Sequence, residues 1–174
     1  TVDFGFYTIR LGDVVWSDLD NSGLLDGTEV GISGVAVQLL SADGSTVLAT
    51  TTTNGSGIYT FNGQPTGDYL VRLPASNFNP GGILRDYRSS TGGGTYEPAP
   101  DADTNTTNSD DNGSETNGLL GLGGYIQTLP ITLTPAAEES FDNATGLTTE
   151  FRVDLGVYNG PQIDLSVTKT DNQA

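Results

Sequence analysis

The chain contains no cysteine, no histidine and no methionine, and only six of its residues are basic against 22 acidic ones. Each absence closes off a class of chemistry. Without histidine there is no Ser-His-Asp or Cys-His set, and without cysteine there is no thiolate nucleophile, no disulfide and no soft ligand for zinc or copper. A net charge of −16 makes nucleic acid or an anionic membrane an unsuitable partner, because phosphates are repelled. No apolar run approaches the ~20 residues of a membrane-spanning helix. The amino-terminal residues do not have the layout of a signal peptide, so the chain reads as an excised or mature fragment. A disulfide-free acidic chain fits a bacterial surface protein stiffened by metal better than a secreted domain built on disulfides.

What is present is glycine, at 24 residues, with much threonine, serine and asparagine and a hydrophobic share of 34%. The 174 residues suffice for one domain of ordinary size with flanking pieces. Helical periodicity is almost absent. Apolar residues alternate in short runs between polar turns, which predicts an all-β sandwich with long loops. The runs are Ile9–Trp16, Gly34–Leu40 with Val35, Val37 and Leu39 on one face, an exposed threonine-rich Val47–Thr53, Ile58–Phe61, and Asp68–Leu73 with Tyr69, Val71 and Leu73 inward. They read as a meander, with Arg85–Arg88 as a short edge strand and Tyr125–Thr134 and Glu150–Tyr158 as later strands. Residues 135–140 fit a helical turn or a loop. Trp16, Tyr59, Phe61 and Tyr69 are core candidates, and an aromatic platform for glycans is the competing reading.

The most informative stretch is Asp18-Leu19-Asp20-Asn21-Ser22-Gly23-Leu24-Leu25-Asp26-Gly27-Thr28-Glu29. With Asp18 as position 1, Asp20 is 3, Ser22 is 5, Gly23 is 6, the Leu24 carbonyl is 7, Asp26 is 9 and Glu29 is 12, which fills the twelve-residue EF-hand pattern for Ca²⁺. Oxygen donors on alternate residues converge on a hard cation, and Gly23 allows the sharp turn. The flanks are β-branched and short, so the loop joins strands rather than helices and has none to open, which makes it a structural clamp and not a sensor. A second acidic run, Asp101 to Glu115, repeats the alternation of carboxylates. By composition it fits a disordered polar loop or a second calcium region built from Asp101, Asp103, Asn105, Asp110 and Asn112, with Asp111 and Glu115 as further candidates. Its spacing fits no single loop template, so the ligands and the number of ions stay open.

Val2-Asp3-Phe4-Gly5-Phe6-Tyr7 and Val153-Asp154-Leu155-Gly156-Val157-Tyr158 share the pattern Val-Asp-apolar-Gly-apolar-Tyr at an offset of 151 residues. The expected organisation is a slice of a tandem array: residues 1–7 close a preceding repeat, 8–159 form one domain, and 160–174 are a linker and the first strand of a following domain of another type. Residues 1–7 would pair within the chain or add to a neighbour's sheet as a donated strand.

Gly12–Trp16, the Asp18–Glu29 loop, Gly31–Val37, Thr52–Tyr59 and Pro65–Tyr69 together resemble the B-type repeats of serine-aspartate-repeat surface adhesins, over roughly Thr8 to Tyr158. The opening of the tail, Ile163–Asp171, resembles the start of repeat domains in large bacterial and archaeal surface proteins. The first resemblance implies a calcium-stiffened Greek-key sandwich, immunoglobulin-like and related to transthyretin-like and collagen-adhesin B-type domains. It implies a stalk that projects other domains from a cell wall, and calcium ligands in the second acidic run. Collagen-adhesin relatives often cross-link a Lys to an Asn, but no lysine precedes Lys169, so composition excludes that bond within the repeat.

The expected function is a calcium-stabilised, non-enzymatic module of an extracellular cell-surface protein, acting as a rigid stalk or fibre repeat. Its partners are neighbouring domains of the same chain or identical subunits. Two alternatives stand beside it: a filament or surface-layer subunit assembling by strand donation, and an adhesin gripping protein or glycan through loops and exposed Tyr87, Tyr96 and Tyr125. A glycosidase-like pair of Asp26 and Glu29 is set aside because the cation shell would use both. Sequons at Asn54, Asn105, Asn112 and Asn143 permit glycosylation.

Overall fold

The computed structural model describes residues 8–92, 110–116, 121–134, 140–142, 147–150 and 153–159. Among these, the strands are β1 (Thr8–Ser17), β2 (Val30–Gly31), β3 (Ala36–Ser41), β4 (Val47–Thr52), β5 (Ile58–Gln64), β6 (Gly67–Leu73), β7 (Arg88–Ser89), β8 (Ser114–Thr116), β9 (Tyr125–Gln127), β10 (Ile131–Leu133), β11 (Ser140–Asp142), β12 (Leu147–Glu150) and β13 (Leu155–Tyr158). One 3₁₀ turn, Ala75–Asn77, follows β6. Two sheets result. In the first, β1 is the axis: β12 pairs in parallel with its first half, β13 in parallel with its second, and β5 and β2 run antiparallel to it. The second has the order β4-β3-β6-β9-β8, with β10 also on β6.

Alternation fixes which side chains meet between the sheets. Ile9, Leu11, Val15, Tyr59, Phe61, Leu155 and Val157 from the first sheet meet Val35, Val37, Leu39, Tyr69, Val71, Leu73, Ile126, Ile131 and Leu133 from the second side, with Phe78 and Leu84 filling the end. Tyr59 and Phe61 pack edge to face, ring centroids 6.0 Å apart. Trp16 is fully buried but stands outside this cluster: with Val15 turned inward, its ring lies on the other side of β1, against Gly156 and Ser90.

The strands expected from Ile9 to Leu73 form, but not as a meander. The chain leaves the second sheet after β4, crosses to the first for β5 and returns for β6 beside β3. Alternation states which side of a strand is apolar and is silent about which of two facing sheets the strand joins. Arg85–Arg88 is not a strand; backbone bonds from Arg85 to Gly82 and from Tyr87 to Leu84 keep it in turns, and only Arg88–Ser89 pairs, with β13. Tyr125–Thr134 divides into β9 and β10 around Thr128, whose hydroxyl accepts a bond from the Val71 amide. Sequence reading placed a turn or loop up to Ser140, where β11 in fact begins.

Because β13 is parallel to β1, Thr8 and Tyr158 lie at opposite ends of the sandwich, about 30 Å apart at ~3.3 Å per strand residue. The Asp18–Glu29 loop is at the Tyr158 end.

Candidate metal centre

The loop begins where β1 ends, and the Asp18 amide still donates to the Val157 carbonyl of β13 at 2.9 Å. The Asp18 side chain is buried, and the loop wraps around it. Its Oδ1 accepts from the Ser22 amide at 3.1 Å and its Oδ2 from the Gly23 amide at 2.8 Å. This wrapping needs two residues in the left-handed region, Asn21 at φ 58° and Gly23 at φ 79°. Asparagine tolerates that conformation better than other side chains, and glycine has no Cβ to oppose it. Asp20 then also accepts from the Ser22 amide, at 3.0 Å.

Glu29, eleven residues on, folds back over the start of the loop. Its two oxygens accept from the Leu19 amide at 2.6 Å and the Asp26 amide at 3.2 Å. The result is one point at which carboxylate oxygens of Asp18, Asp20 and Glu29 all lie within 4.8 Å of one another. Ser22 Oγ faces the Leu24 carbonyl at 3.4 Å. Asp26 is exposed, and its carboxylate is not one of the three that converge. Three anionic groups this close repel one another unless a cation lies among them. The donor set is entirely oxygen, which suits Ca²⁺ or Mg²⁺ and not a thiophilic metal.

The second acidic run meets this loop at its far end. Asp101, Asp103 and Asn105 lie outside the described residues. Asp110 forms an antiparallel bridge with Leu24, and the Asp111 amide donates to the Gly23 carbonyl at 3.0 Å. Asp111 and Asn112 are completely buried. Asp111 Oδ1 accepts from the amides of Gly113 at 3.0 Å and Gly156 at 2.9 Å, and Asn112 Oδ1 accepts from the Asp154 amide at 2.8 Å. These side chains therefore dock residues 110–113 onto β13. Burial also removes Asn112 as a glycan acceptor. Glu115 takes both oxygens to Arg88, each at 2.6 Å.

Sequence reading missed three participants. Ser90 donates to Asp18 Oδ2, and Asn21 Oδ1 accepts from the Thr91 amide at 2.9 Å, so residues 90–91 form a wall of the loop. Nothing in the local sequence of Ser90 announces this, because it is 72 residues from Asp18. Asp154 is the third: it is buried, and its Oδ1 accepts from the Val14 amide at 3.4 Å. The shared Val-Asp-apolar-Gly pattern was a signal for it. The Tyr59 hydroxyl donates to the neighbouring Val153 carbonyl at 2.6 Å, and burial, followed by the charges of Asp154 and Asp13, pushes its pKa well up. Tyr87 and Tyr125, expected to be exposed, are half-buried: Tyr87 packs on the core, and the Arg72 guanidinium sits 4.1 Å over the Tyr125 ring.

The chain is thus an all-β sandwich carrying an acidic, cation-type loop at one end. The model of the SdrD B-like domain family matches residues 9–117, more than half of the chain, and the chain belongs to that family. Relatives include serine-aspartate repeat-containing protein F of Staphylococcus epidermidis, 47% identical over 75 residues, covering 42% of this chain and 4% of that protein. Serine-aspartate repeat-containing protein D of Staphylococcus aureus (strain Newman) is 39% identical over 111 residues, covering 62% of this chain and 8% of that protein. The chain thus matches less than a tenth of the length of these relatives. Among solved structures, the minor pilin GBS52 of Streptococcus agalactiae aligns over 89% of this chain and 46% of that chain, with a TM-score of 0.41 and 14% identity. The chain is a module of an extracellular, cell-surface protein and not an enzyme.

Proposed function

We propose that this chain is a calcium-stabilised structural module, a stiff repeat in a stalk or fibre. The observation that carries the reading is the convergence of Asp18, Asp20 and Glu29 in a loop whose first residue is hydrogen-bonded to β13. Ser22 and the Leu24 carbonyl complete the shell, and Asp26 reaches the ion directly or through water, as the ninth position of such loops often does. Bound Ca²⁺ supplies positive charge that cancels the repulsion of the carboxylates, and the loop's own backbone bonds hold them in place. Asp101, Asp103, Asn105 and Asp110 contribute to a second calcium region in the same reading, and Asn112 anchors that region by accepting from the Asp154 amide.

The geometry suits a link in a series. Force entering along β1 at Thr8 leaves through β13 at Tyr158, and the acidic loop sits where the chain continues toward the next domain. In this reading residues 1–7 close a preceding repeat, 8–159 form the module and 160–174 open the following domain. Calcium holds the loop against β13 and limits swing at that joint. Neighbouring domains of the chain, or identical subunits, are the partners.

Calorimetric titration with CaCl₂ tests this, because it counts ions as well as measuring affinity. Saturable binding that raises the unfolding temperature supports the module, and identical melting with calcium and with chelator refutes it.

A further inference from the structure

We propose that Ser90 and Thr91, which follow β7, are positioning residues that clasp the calcium loop from outside, so that ion occupancy and the pairing of β7 with β13 rise and fall together. The inference rests on the reading of Asp18–Glu29 as a calcium site. It adds the residues that preset that site and the part of the fold that responds to it.

Asn21 stands at position 4 of the loop, which supplies no ligand to the ion. Its side chain is nevertheless fully committed. Oδ1 accepts from the Thr91 amide at 2.9 Å and Nδ2 donates to the Thr91 hydroxyl at 2.8 Å, a reciprocal pair between residues 70 apart in sequence. Among the described residues Asn21 is also the one non-glycine with a positive φ, and the pair holds it in that left-handed turn. Beside it, the buried Ser90 hydroxyl donates to Asp18 Oδ2, the oxygen that also accepts from the Gly23 amide. These bonds fix the first carboxylate and the turn before an ion arrives.

The clasp reaches over a strand to do this. β13 lies between β1 and β7, and the Asp18 amide donates to the Val157 carbonyl on one side of it while the Ser90 amide donates to the Gly156 carbonyl on the other, at 3.0 Å. Gly156 keeps the passage open: a Cβ there would stand 3.1 Å from the Ser90 Cβ and 2.7 Å from the Trp16 ring. β7 itself is two residues long, and so short an edge pairing belongs to the low-stability end of a fold. It carries Arg88, whose guanidinium takes Glu115 of the second sheet, so its pairing also joins the two sheets at that edge. Linkage makes the effect reciprocal: what the ion adds to β7 pairing, the pairing adds to ion affinity.

Amide hydrogen exchange followed by NMR, together with calorimetric titration of CaCl₂ into the full chain, tests the coupling. Calcium should slow exchange of the Ser90 amide ~10-fold or more in the native chain. Asn21→Gly keeps every metal donor and permits the left-handed turn, but it deletes both bonds to Thr91. It should bind calcium ~5-fold or more weakly, and at saturating calcium its Ser90 amide should be slowed less than in the native chain. Thr91→Ala removes one of the two bonds and should weaken binding in the same direction, whereas Thr91→Ser keeps the oxygen and should bind as the native chain does. That pair carries the test if Asn21→Gly folds poorly. A native chain without saturable calcium binding would overturn the calcium module and the coupling with it. Saturable native binding, with affinity unchanged in Asn21→Gly and Thr91→Ala or with a Ser90 amide indifferent to calcium, would overturn the clasp alone.

Discussion

Glu29→Gln separates the metal from the scaffold it binds to. The glutamate oxygens accept from the amides of Leu19 and Asp26 in a partly exposed loop. Glutamine keeps one acceptor and nearly the same shape, so without metal the loss is at most about 1 kcal/mol, the value of one hydrogen bond, and relief of the repulsion from Asp18 and Asp20 offsets part of it. With metal the loss is larger. At a calcium concentration ~100-fold above the dissociation constant, binding contributes ~2.7 kcal/mol. If the substitution weakens affinity ~100-fold, the contribution falls to RT ln 2, about 0.4 kcal/mol. A domain of this size changes its melting temperature by ~2–4 °C per kcal/mol. The calcium-dependent rise should therefore shrink from ~5–11 °C to ~1–2 °C. Circular dichroism melts in chelator and in millimolar CaCl₂ read both quantities on the same sample. Asp18→Ala is the contrasting variant. It removes the acceptor for Ser22, Gly23 and Ser90 and should cost ~2–3 kcal/mol even in chelator. A Glu29→Gln protein that keeps the full calcium-dependent rise would remove Glu29 from the site, and the twelve-residue reading with it.

Tyr59→Phe deletes the hydroxyl that satisfies the buried Val153 carbonyl and should lower stability by ~1–3 kcal/mol in urea denaturation. Since the folded state holds the Tyr59 pKa above its ordinary value, its contribution is complete below about pH 10 and is lost as pH rises; tyrosinate absorbance from this residue should appear only together with unfolding. Gly57 is at φ 80°, and a Cβ there would stand 2.5 Å from the Gly31 Cα and the Val15 carbonyl oxygen, so Gly57→Ala should cost ~2–4 kcal/mol in chemical denaturation. Hydrogen bonds from Ser41 and Ser45 bring the Asp43 pKa down to about 2, so the stability it lends the β3–β4 turn is present above about pH 4 and lost as pH falls toward 2; NMR titration of its carboxyl checks the value.

Local physics made much of this molecule readable from its residues alone. The alternation of Val35, Val37 and Leu39, or of Tyr69, Val71 and Leu73, specifies strand and inward side together, because side chains repeat every second residue. The carboxylates of Asp18, Asp20 and Glu29 stand at fixed offsets within one loop, and the fold brings their oxygens within 4.8 Å of one another. Neither inference needs a distant partner.

Tertiary structure decided what depends on partners far away in sequence. The choice of sheet for β5 rests on its pairing with β1, and an isolated strand has no preference between two apolar surfaces. Ser90 reaches Asp18 only because β7 pairs with β13, which brings residues 90–91 beside the loop. The carboxylate of Asp111 and the amide of Asn112 look in sequence like metal donors, yet in the fold their oxygens accept bonds from the backbone of β13 and its neighbours. Composition supplied the donors, and the long-range pairings determined which of them face one another at the end of the sandwich.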